Sequence, residues 1–279
     1  MRRINTNRIK NIVSELCISA NTVLRKDIEK ALRSGLKKET KKLARSILKI
    51  LLDNALIAKR EQLAICQDTG IVIVHIELGQ GVRIIGGDLE KAVNEGVKEG
   101  YKRGCFRKSI ISNPVLRGKA KHGPAVIYID IVKGNKVKIT VSPKGFGSEN
   151  KSKIKMLDPT DGIKEIKNFV LDTVKAAGPD ACPPFIIGIG IGGSFEKAAM
   201  LAKKALLKPI DKKNAKPHLR KLEDEILKAI NRLNIGPMGL VGKTTCLGVN
   251  IMDAPTHIAG LPVAVNVGCH ATRSKTIII

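Results

Sequence analysis

The apolar positions of residues 1–62 recur at the three-to-four-residue spacing of amphipathic helices. One set begins soon after the N-terminus, and another occupies residues 43–57 behind Thr40, a residue type that caps helix N-termini. We therefore predict an N-terminal helical segment over residues 1–62. It would pack one apolar face against a single α/β core formed by residues 63–279.

After residue 62 the pattern changes to short runs of β-branched residues, which favour strands. Residues 71–78 are apolar almost without interruption, as in a strand that is buried on both faces. Residues 125–132 and 136–141 have the pattern of two further strands, and Gly134 in the short link between them indicates a hairpin. Together with the helical stretches, these runs predict a mixed α/β fold with a mixed sheet and glycine-rich loops.

The rest of the chain is predicted to continue this mixture of helices and strands. Asp88 is placed to cap a helix that ends near Tyr101. The loop at residues 142–152 is too long and too polar for a simple connector, and its glycines suit a backbone cradle for an anion. Further helices are predicted over 161–177 and 194–207, and further strands over 185–189, 246–252 and 261–267.

The chain carries 50 Lys and Arg residues against 25 Asp and Glu, a net charge of +25, which first indicates an anionic partner. The lysines are spread over most of the predicted helices, Trp is absent and aromatic residues make up 3%, so the stacking surfaces of single-strand binders are missing. We interpret the charge as a solvated surface that steers small anions, and we expect no nucleic acid among the partners. A basic nucleic-acid-binding protein stays open as an alternative of a different class.

The apolar runs are all much shorter than a bilayer-spanning helix, and the first residues lack the apolar core of a signal peptide. We therefore expect a cytoplasmic protein with no membrane partner. The six cysteines are spread too widely for a secreted disulfide framework. In a reducing compartment, thiols carried on loops are more often metal ligands or catalytic groups.

Three of the six cysteines share a setting beside Gly, Pro or polar turn residues. Cys66 begins the polar stretch Cys66-Gln67-Asp68-Thr69-Gly70. Cys182 precedes Pro183, and Cys269 follows Gly268. A single free cysteine is most often a small buried hydrophobe, but a group of three in such loops favours a metal site. The other three, Cys17, Cys105 and Cys246, lack this setting.

Two glycine-rich stretches resemble nucleotide-binding motifs. Residues 188–193 match G-x-G-x-x-G between a predicted strand and a predicted helix, so a Rossmann-type, NAD-binding enzyme is an alternative. However, Asp211 has no strand before it, and we favour glycines that let the helix pack tightly on the sheet. Residues 236–245 resemble a Walker A loop, but Pro237 stands where the first glycine is required, so a P-loop NTPase is not expected.

With the cysteine settings in view, the chain resembles the iron–sulfur-dependent class I fumarase and tartrate dehydratase family, in the split form in which this chain is the α subunit. The matching stretches occur in order from residue 66 to the C-terminal region. They are Cys66-Gln67-Asp68-Thr69-Gly70, Pro143 to Asn150, Cys182-Pro183-Pro184 with the glycines that follow, Gly239 to Thr245, and Pro255-Thr256-His257 through Cys269.

The resemblance implies that Cys66, Cys182 and Cys269 hold a 4Fe-4S cluster and leave its fourth iron without a protein ligand. Such an iron acts as a Lewis acid on a hydroxyl group or water, which is the chemistry that a hydro-lyase needs. The family reactions are the reversible hydration of fumarate to (S)-malate and the dehydration of tartrate to oxaloacetate. The resemblance also implies a separate β subunit that carries the C-terminal part of the active site, in a heterotetramer.

Roles for individual residues follow from the same resemblance. Gln67 and Asp68 would lie beside the substrate, with Asp68 positioning or polarising the proton-transfer group, and Arg107 would hold a carboxylate of the dicarboxylate substrate. The remaining matches are the backbone N–H groups around Gly145 and Gly147, which would bind a carboxylate, and His257, an active-site hydrogen-bonding or proton-transfer group.

One stretch departs from the family pattern. Where relatives carry an Asn-Thr-Gly-Asp-Asn-like sequence before Thr-Pro, residues 118–124 are Gly-Lys-Ala-Lys-His-Gly-Pro, and the added positive charge alters the local substrate contacts. Between the two family activities we expect fumarate hydration, because the loop at residues 143–150 and the stretch at 256–262 resemble the fumarase version.

Overall fold

The computed structural model describes residues 1–279, which form two compact units. Unit 1 comprises Met1–Leu24, Asn54–Phe146 and Arg273–Ile279, and unit 2 comprises Arg25–Asp53 and Gly147–Thr272. The α-helices are α1 (Thr6–Thr22), α2 (Lys26–Lys38), α3 (Lys42–Glu61), α4 (Leu89–Arg103), α5 (Phe146–Glu149), α6 (Gly162–Ala177), α7 (Phe195–Ala205) and α8 (Pro217–Arg232). The strands are β1 (Arg2–Asn5), β2 (Ile71–Gly79), β3 (Val82–Ile85), β4 (Val126–Val132), β5 (Val137–Lys144), β6 (Lys153–Leu157), β7 (Phe185–Gly192), β8 (Cys246–Ala254), β9 (Leu261–Gly268) and β10 (Lys275–Ile278).

Unit 1 is built on a four-stranded sheet with the strand order β10-β5-β2-β4, in which β2 runs parallel to β4 and antiparallel to β5. Val74 and Ile139 are fully buried in its core, to which α1 and α4 also contribute apolar side chains. Gly96 and Gly100 of α4 allow the close approach of α1, because a Cβ at either position would press on the α1 backbone. The mixed α/β fold class is confirmed.

The structure corrects two sequence-based predictions in unit 1. The predicted hairpin between β4 and β5 does not form, since each of these strands pairs with β2, which lies between them. The nearly continuous apolar run of β2 is the reason, because a strand buried on both faces is a central strand. Residues Arg2–Asn5 form β1, parallel to β3, although a helix was expected there, and Asn5 then caps α1 through its side chain.

Unit 2 contains a second four-stranded sheet with the order β6-β9-β7-β8, in which β7 runs parallel to β8 and antiparallel to β9. The helix α7 packs closely on β7. A Cβ at Gly188 would overlap the carbonyl of Ala202, and one at Gly190 would overlap that of Ala198. The glycines therefore serve helix–sheet packing, as expected, and the first two glycines of the pattern lie within β7 instead of forming a turn around a pyrophosphate.

The helices predicted after Asp88, at 161–177 and at 194–207 are confirmed as α4, α6 and α7. Asp88 caps α4 by accepting a hydrogen bond from the Lys91 backbone N–H at 2.6 Å. None of the helices combines the length and the apolar character needed to cross a membrane.

Candidate functional site

Residues 66–70 form a loop in unit 1 between α3 and β2, here called the 66–70 loop. The chain enters it through Ile65, whose N–H donates to the Asn21 carbonyl at 2.9 Å. At its end Gly70 has a φ of +71°, and a side chain there would overlap the Lys144 carbonyl. Only glycine tolerates both conditions, so the sequence requires a Gly where the loop meets β5.

Asp68 accepts a backbone hydrogen bond on each of its carboxylate oxygens. Its Oδ1 accepts from the Gly70 N–H at 3.0 Å and its Oδ2 from the Phe146 N–H at 2.7 Å. A Cβ at Gly145 would stand only 3.1 Å from Oδ2, so a larger residue at 145 would press on the carboxylate. The structure thus places Asp68 beside Gly145, and the carboxylate that the Phe146 N–H binds is that of Asp68.

A second set of hydrogen bonds joins the 66–70 loop to the segment that carries Arg107. The Thr69 hydroxyl donates to the Arg107 carbonyl at 3.1 Å, and the Thr69 carbonyl accepts from the Tyr101 hydroxyl at 2.6 Å. Burial raises the pKa of Tyr101 far above its usual value, so this hydroxyl stays a hydrogen-bond donor. The Arg107 side chain, like that of Gln67, is exposed and faces solvent.

In unit 2, two of the three cysteines lie on adjacent segments. Cys182 follows a short 3₁₀ turn, Gly178–Ala181, in the left-handed conformation with φ +53°. Its carbonyl accepts a hydrogen bond from the backbone N–H of His270 at 3.3 Å, and Nδ1 of the same histidine lies 3.1 Å from that oxygen. Cys269 immediately precedes His270. The structure therefore joins the segments that carry Cys182 and Cys269.

The glycine-rich loop approaches this part of unit 2. A Cβ at Gly147 would lie 3.6 Å from the carbonyl of Asp180, which belongs to the turn before Cys182. Further along, Glu149 accepts a hydrogen bond from the Asn266 side-chain amide at 3.2 Å, and Asn266 is a residue of β9. Gly147 is thus near the Cys182 segment, as expected for residues of one site.

His257 lies in the exposed turn between β8 and β9, at the opposite end of β9 from Cys269. The strand Leu261–Gly268 has 8 residues and spans on the order of 26 Å at about 3.3 Å per residue. The His257 Nδ1 accepts from the Ala259 N–H at 3.1 Å, so the neutral ring carries its proton on Nε2. His257 and Cys269 thus stand at opposite ends of β9, and the role of His257 in the active site stays a prediction.

The six free thiols fall into groups with different surroundings. Burial raises the pKa of Cys246 to about 12 and that of Cys17 further, so both remain protonated, whereas iron is bound by thiolates. No group of three or more His, Cys, Asp or Glu side chains gathers in a metal-binding arrangement, so the ligand set stays a prediction. The half-buried thiols, whose chemistry suits iron, are the three predicted ligands, Cys66, Cys182 and Cys269.

In the stretch that resembles a Walker A loop, residues 236–245, backbone N–H groups donate to the carboxylate of Glu39. Glu39 is 2% exposed, and its Oε2 accepts from the N–H groups of Lys243 at 2.8 Å and Thr244 at 3.2 Å. Its Oε1 accepts from those of Thr40 and Lys41. Burial acts to raise the pKa of Glu39, but these four N–H groups outweigh it and hold the pKa below its usual value. The amides that would face a phosphate in a P-loop are therefore already bound.

Comparison with known proteins identifies the class of enzyme and then the family. The family model described as fumarate hydratase (Fumerase) matches residues 10–278. The chain is 39% identical over 276 residues to a Methanocaldococcus jannaschii protein named "Putative L(+)-tartrate dehydratase subunit alpha", covering 95% of each chain. It is 30% identical over 278 residues to the L(+)-tartrate dehydratase subunit alpha of Escherichia coli strain K12, covering 98% of this chain and 91% of the relative.

The protein is accordingly a hydro-lyase. It belongs to the fumarase and tartrate dehydratase family, so the resemblance drawn from the motifs is confirmed. The Rossmann-type and nucleic-acid-binding alternatives are set aside by this finding.

The residues that hold the 66–70 loop from outside were missed in the sequence. Arg273 donates through Nη2 to the Asp68 carbonyl at 2.7 Å and through Nη1 to the Asn21 Oδ1 at 3.2 Å. Neither residue belongs to a motif, and Arg273 is one of 50 basic residues in the chain. Its one signal is its position four residues after Cys269.

Proposed function

We propose that the chain is the α subunit of an iron–sulfur hydro-lyase that reversibly hydrates fumarate to (S)-malate. The observation that carries this proposal is the hydrogen bonding between the Cys182 carbonyl and His270, within a chain that matches the fumarate hydratase family almost throughout. Adjacent segments that each carry a half-buried thiol outside any disulfide suit the binding of an iron–sulfur cluster.

We propose Cys66, Cys182 and Cys269 as the thiolate ligands of a 4Fe-4S cluster. When bound, the cluster supplies a Lewis-acidic iron without a protein ligand, for a substrate hydroxyl or water. The chemistry of the donor set supports this assignment, because these thiols are half-buried and in no disulfide, while Cys17 and Cys246 are protonated in the core.

The other residues of the chain bind and orient the substrate. Arg107 offers an exposed guanidinium group, which binds a carboxylate through two parallel hydrogen bonds. Asp68, fixed by two backbone N–H groups, presents a carboxylate of defined orientation to the proton-transfer group, and Gln67 adds an amide beside it. The backbone N–H groups of Gly145 and Gly147 are the proposed donors to the second carboxylate, since the N–H of Phe146 donates to Asp68. His257 is proposed as a hydrogen-bonding or proton-transfer group, as the resemblance implies.

A separate β subunit would complete the site, and we propose a heterotetramer of two α and two β subunits. The relatives from Methanocaldococcus jannaschii and Escherichia coli are both named subunit alpha, which supports a separate partner subunit. The α subunit alone is then expected to be inactive.

The second candidate substrate is L(+)-tartrate, which the names of both relatives favour. Tartrate and malate are four-carbon diacids, so Arg107 and the glycine-rich loop would serve either of them. Tartrate carries one more hydroxyl group, which needs an additional hydrogen-bond partner.

The test is an anaerobic assay of the α and β chains together, after reconstitution with iron and sulfide. The hydration of fumarate and the dehydration of L(+)-tartrate are measured on one preparation, with the α chain alone as control. We expect the larger kcat/KM for fumarate and no turnover by the α chain alone. A larger kcat/KM for tartrate would select the second candidate, and a cluster-loaded preparation that turns over neither diacid would contradict both.

A further inference from the structure

Arg273 of unit 1 is a buried cation behind the 66–70 loop. Its side chain is 2% exposed, and its two hydrogen bonds go to uncharged oxygens, the carbonyl of Asp68 and the side-chain amide of Asn21. Its Nε finds no acceptor, and no carboxylate pairs with the guanidinium group. Within hydrogen-bonding distance, the buried guanidinium group therefore contacts only uncharged oxygens.

Such an arrangement is unusual because burial penalises a charge that lacks a counter-ion. Arg25 in unit 2 shows the usual solution. It is 8% exposed and donates to both carboxylate oxygens of Asp27, at 3.0 and 2.5 Å. Arg273 lacks an equivalent partner, and its guanidinium group is held by hydrogen bonds to Asp68 and Asn21 alone.

Arg273 is held in place through both its backbone and its side chain. The Arg273 carbonyl accepts a hydrogen bond from the Ser142 hydroxyl of β5 at 2.8 Å. Asn21 is fully buried and accepts two hydrogen bonds. Its Oδ1 accepts from Nη1 of Arg273, and its backbone carbonyl accepts from the Ile65 N–H. Arg273 and Asn21 together therefore brace the 66–70 loop at its entrance and at Asp68.

We propose that Arg273 is a positioning residue of the hydro-lyase, an inference that rests on the proposed function. It acts through the Asp68 backbone and holds the 66–70 loop in one geometry. Its positive charge favours the dianionic dicarboxylate of the proposed function, because charges act strongly across a partly buried, low-dielectric site. Substitution of residues that hydrogen-bond to the groups of a site typically lowers affinity or activity by about 10- to 100-fold.

The positioning role is tested on the iron-free α chain, independently of catalysis. Arg273→Met removes the donors and the charge but keeps a long side chain, and we expect hydrogen–deuterium exchange in the 66–70 loop to rise by about tenfold or more. Exchange in β8 should not change. Arg25→Met, which removes a buried arginine elsewhere, should leave the 66–70 loop at the wild-type rate.

A second variant covers the case in which Arg273→Met does not fold. Arg273→Lys keeps the charge but cannot reach both acceptors with a planar fork, so exchange in the 66–70 loop should still rise by a few-fold, on the order of threefold. Wild-type exchange rates in a folded Arg273 variant would overturn the positioning role, whatever the substrate of the enzyme.

The role of the charge is tested with Asn21→Asp in the reconstituted two-subunit enzyme. This change places a carboxylate oxygen next to Nη1, and Arg273 keeps both acceptors. It also removes the hydrogen bond that the Asn21 amide donates to the Cys17 carbonyl at 2.9 Å, so urea unfolding of the same variant is measured to show that the fold is retained. We expect KM for the dicarboxylate to rise about fivefold with kcat and the iron content close to wild type. An unchanged KM would overturn the electrostatic part of the proposal. A wild-type enzyme that lacks hydro-lyase activity would reject the proposed function and leave the exchange test decisive for positioning.

Discussion

At the residue scale, Asp68 depends on two backbone N–H groups, those of Gly70 and Phe146. Asp68→Asn keeps the size of the side chain but turns an NH₂ group toward one of these donors, and it removes the charge. We expect kcat of the two-subunit enzyme to fall by about 10²- to 10⁴-fold. Asp88→Asn is the matched control, because Asn is an equally good cap for α4. Equal losses of kcat in both variants would show that Asp68 has no particular role.

The cysteines provide a second prediction at this scale, based on thiolate reactivity. Burial raises the pKa of Cys246 to about 12, so at a pH of about 8 only about one in 10⁴ of these thiols is ionised. In the native iron-free chain, Cys246 and Cys17 should therefore resist alkylation, while the exposed Cys105 reacts. Mass spectrometry of tryptic peptides measures each site. Rapid native-state labelling of Cys246 would contradict its burial.

At the element scale, the glycines of β7 decide how closely α7 approaches the sheet. Gly190→Ala would force a methyl group into the Ala198 carbonyl, and overpacking of this kind costs about 1–3 kcal/mol. Gly260→Ala is the control, since nothing lies near a Cβ at that position. Urea unfolding should show the loss for Gly190→Ala only. An unchanged unfolding free energy would mean that α7 moves away without cost.

The end of α2 is joined to residues 243–244 by the Glu39 carboxylate, which makes stability depend on pH. The pKa of Glu39 is lowered in the fold, so its contribution is present above the unfolded value of 4.5 and is lost as the pH falls through the folded pKa. Glu39→Gln should lower the free energy of unfolding at neutral pH by about 1–3 kcal/mol. Urea unfolding at several pH values should show this difference shrink in acid. A difference that stays constant with pH would contradict the assignment.

Helices and strands were predicted well where local pattern decides them, as for α4 with its Asp88 cap and for the apolar run of β2. Pairing between strands was not predictable in the same way. The short link at Gly134 has hairpin chemistry, yet β4 and β5 pair with β2 because its two apolar faces place it in the centre of the sheet. Local turn signals compete with tertiary burial, and burial prevails here.

At the scale of the whole molecule, the site was predictable to the extent that motifs carry it. Asp68 lies beside Gly145 in unit 1, and the segments of Cys182 and Cys269 are adjacent in unit 2, while their assignment to one site stays a prediction. The position of His257 at the far end of β9 was not predictable, because a motif match does not give the distance between its residues in the fold. Arg273 was missed for a related reason, since burial distinguishes it and burial of a single basic residue is not visible in sequence.

The measurement that tests the central claim most directly is the iron content per α chain after anaerobic reconstitution with its β subunit. Wild type and Cys17→Ala should each hold about four iron atoms, since Cys17 is a protonated core thiol. Cys66→Ala, Cys182→Ala and Cys269→Ala should each lose the cluster. A wild-type chain that binds no iron, or a Cys17 variant that loses it as fully as the other three, would contradict the account.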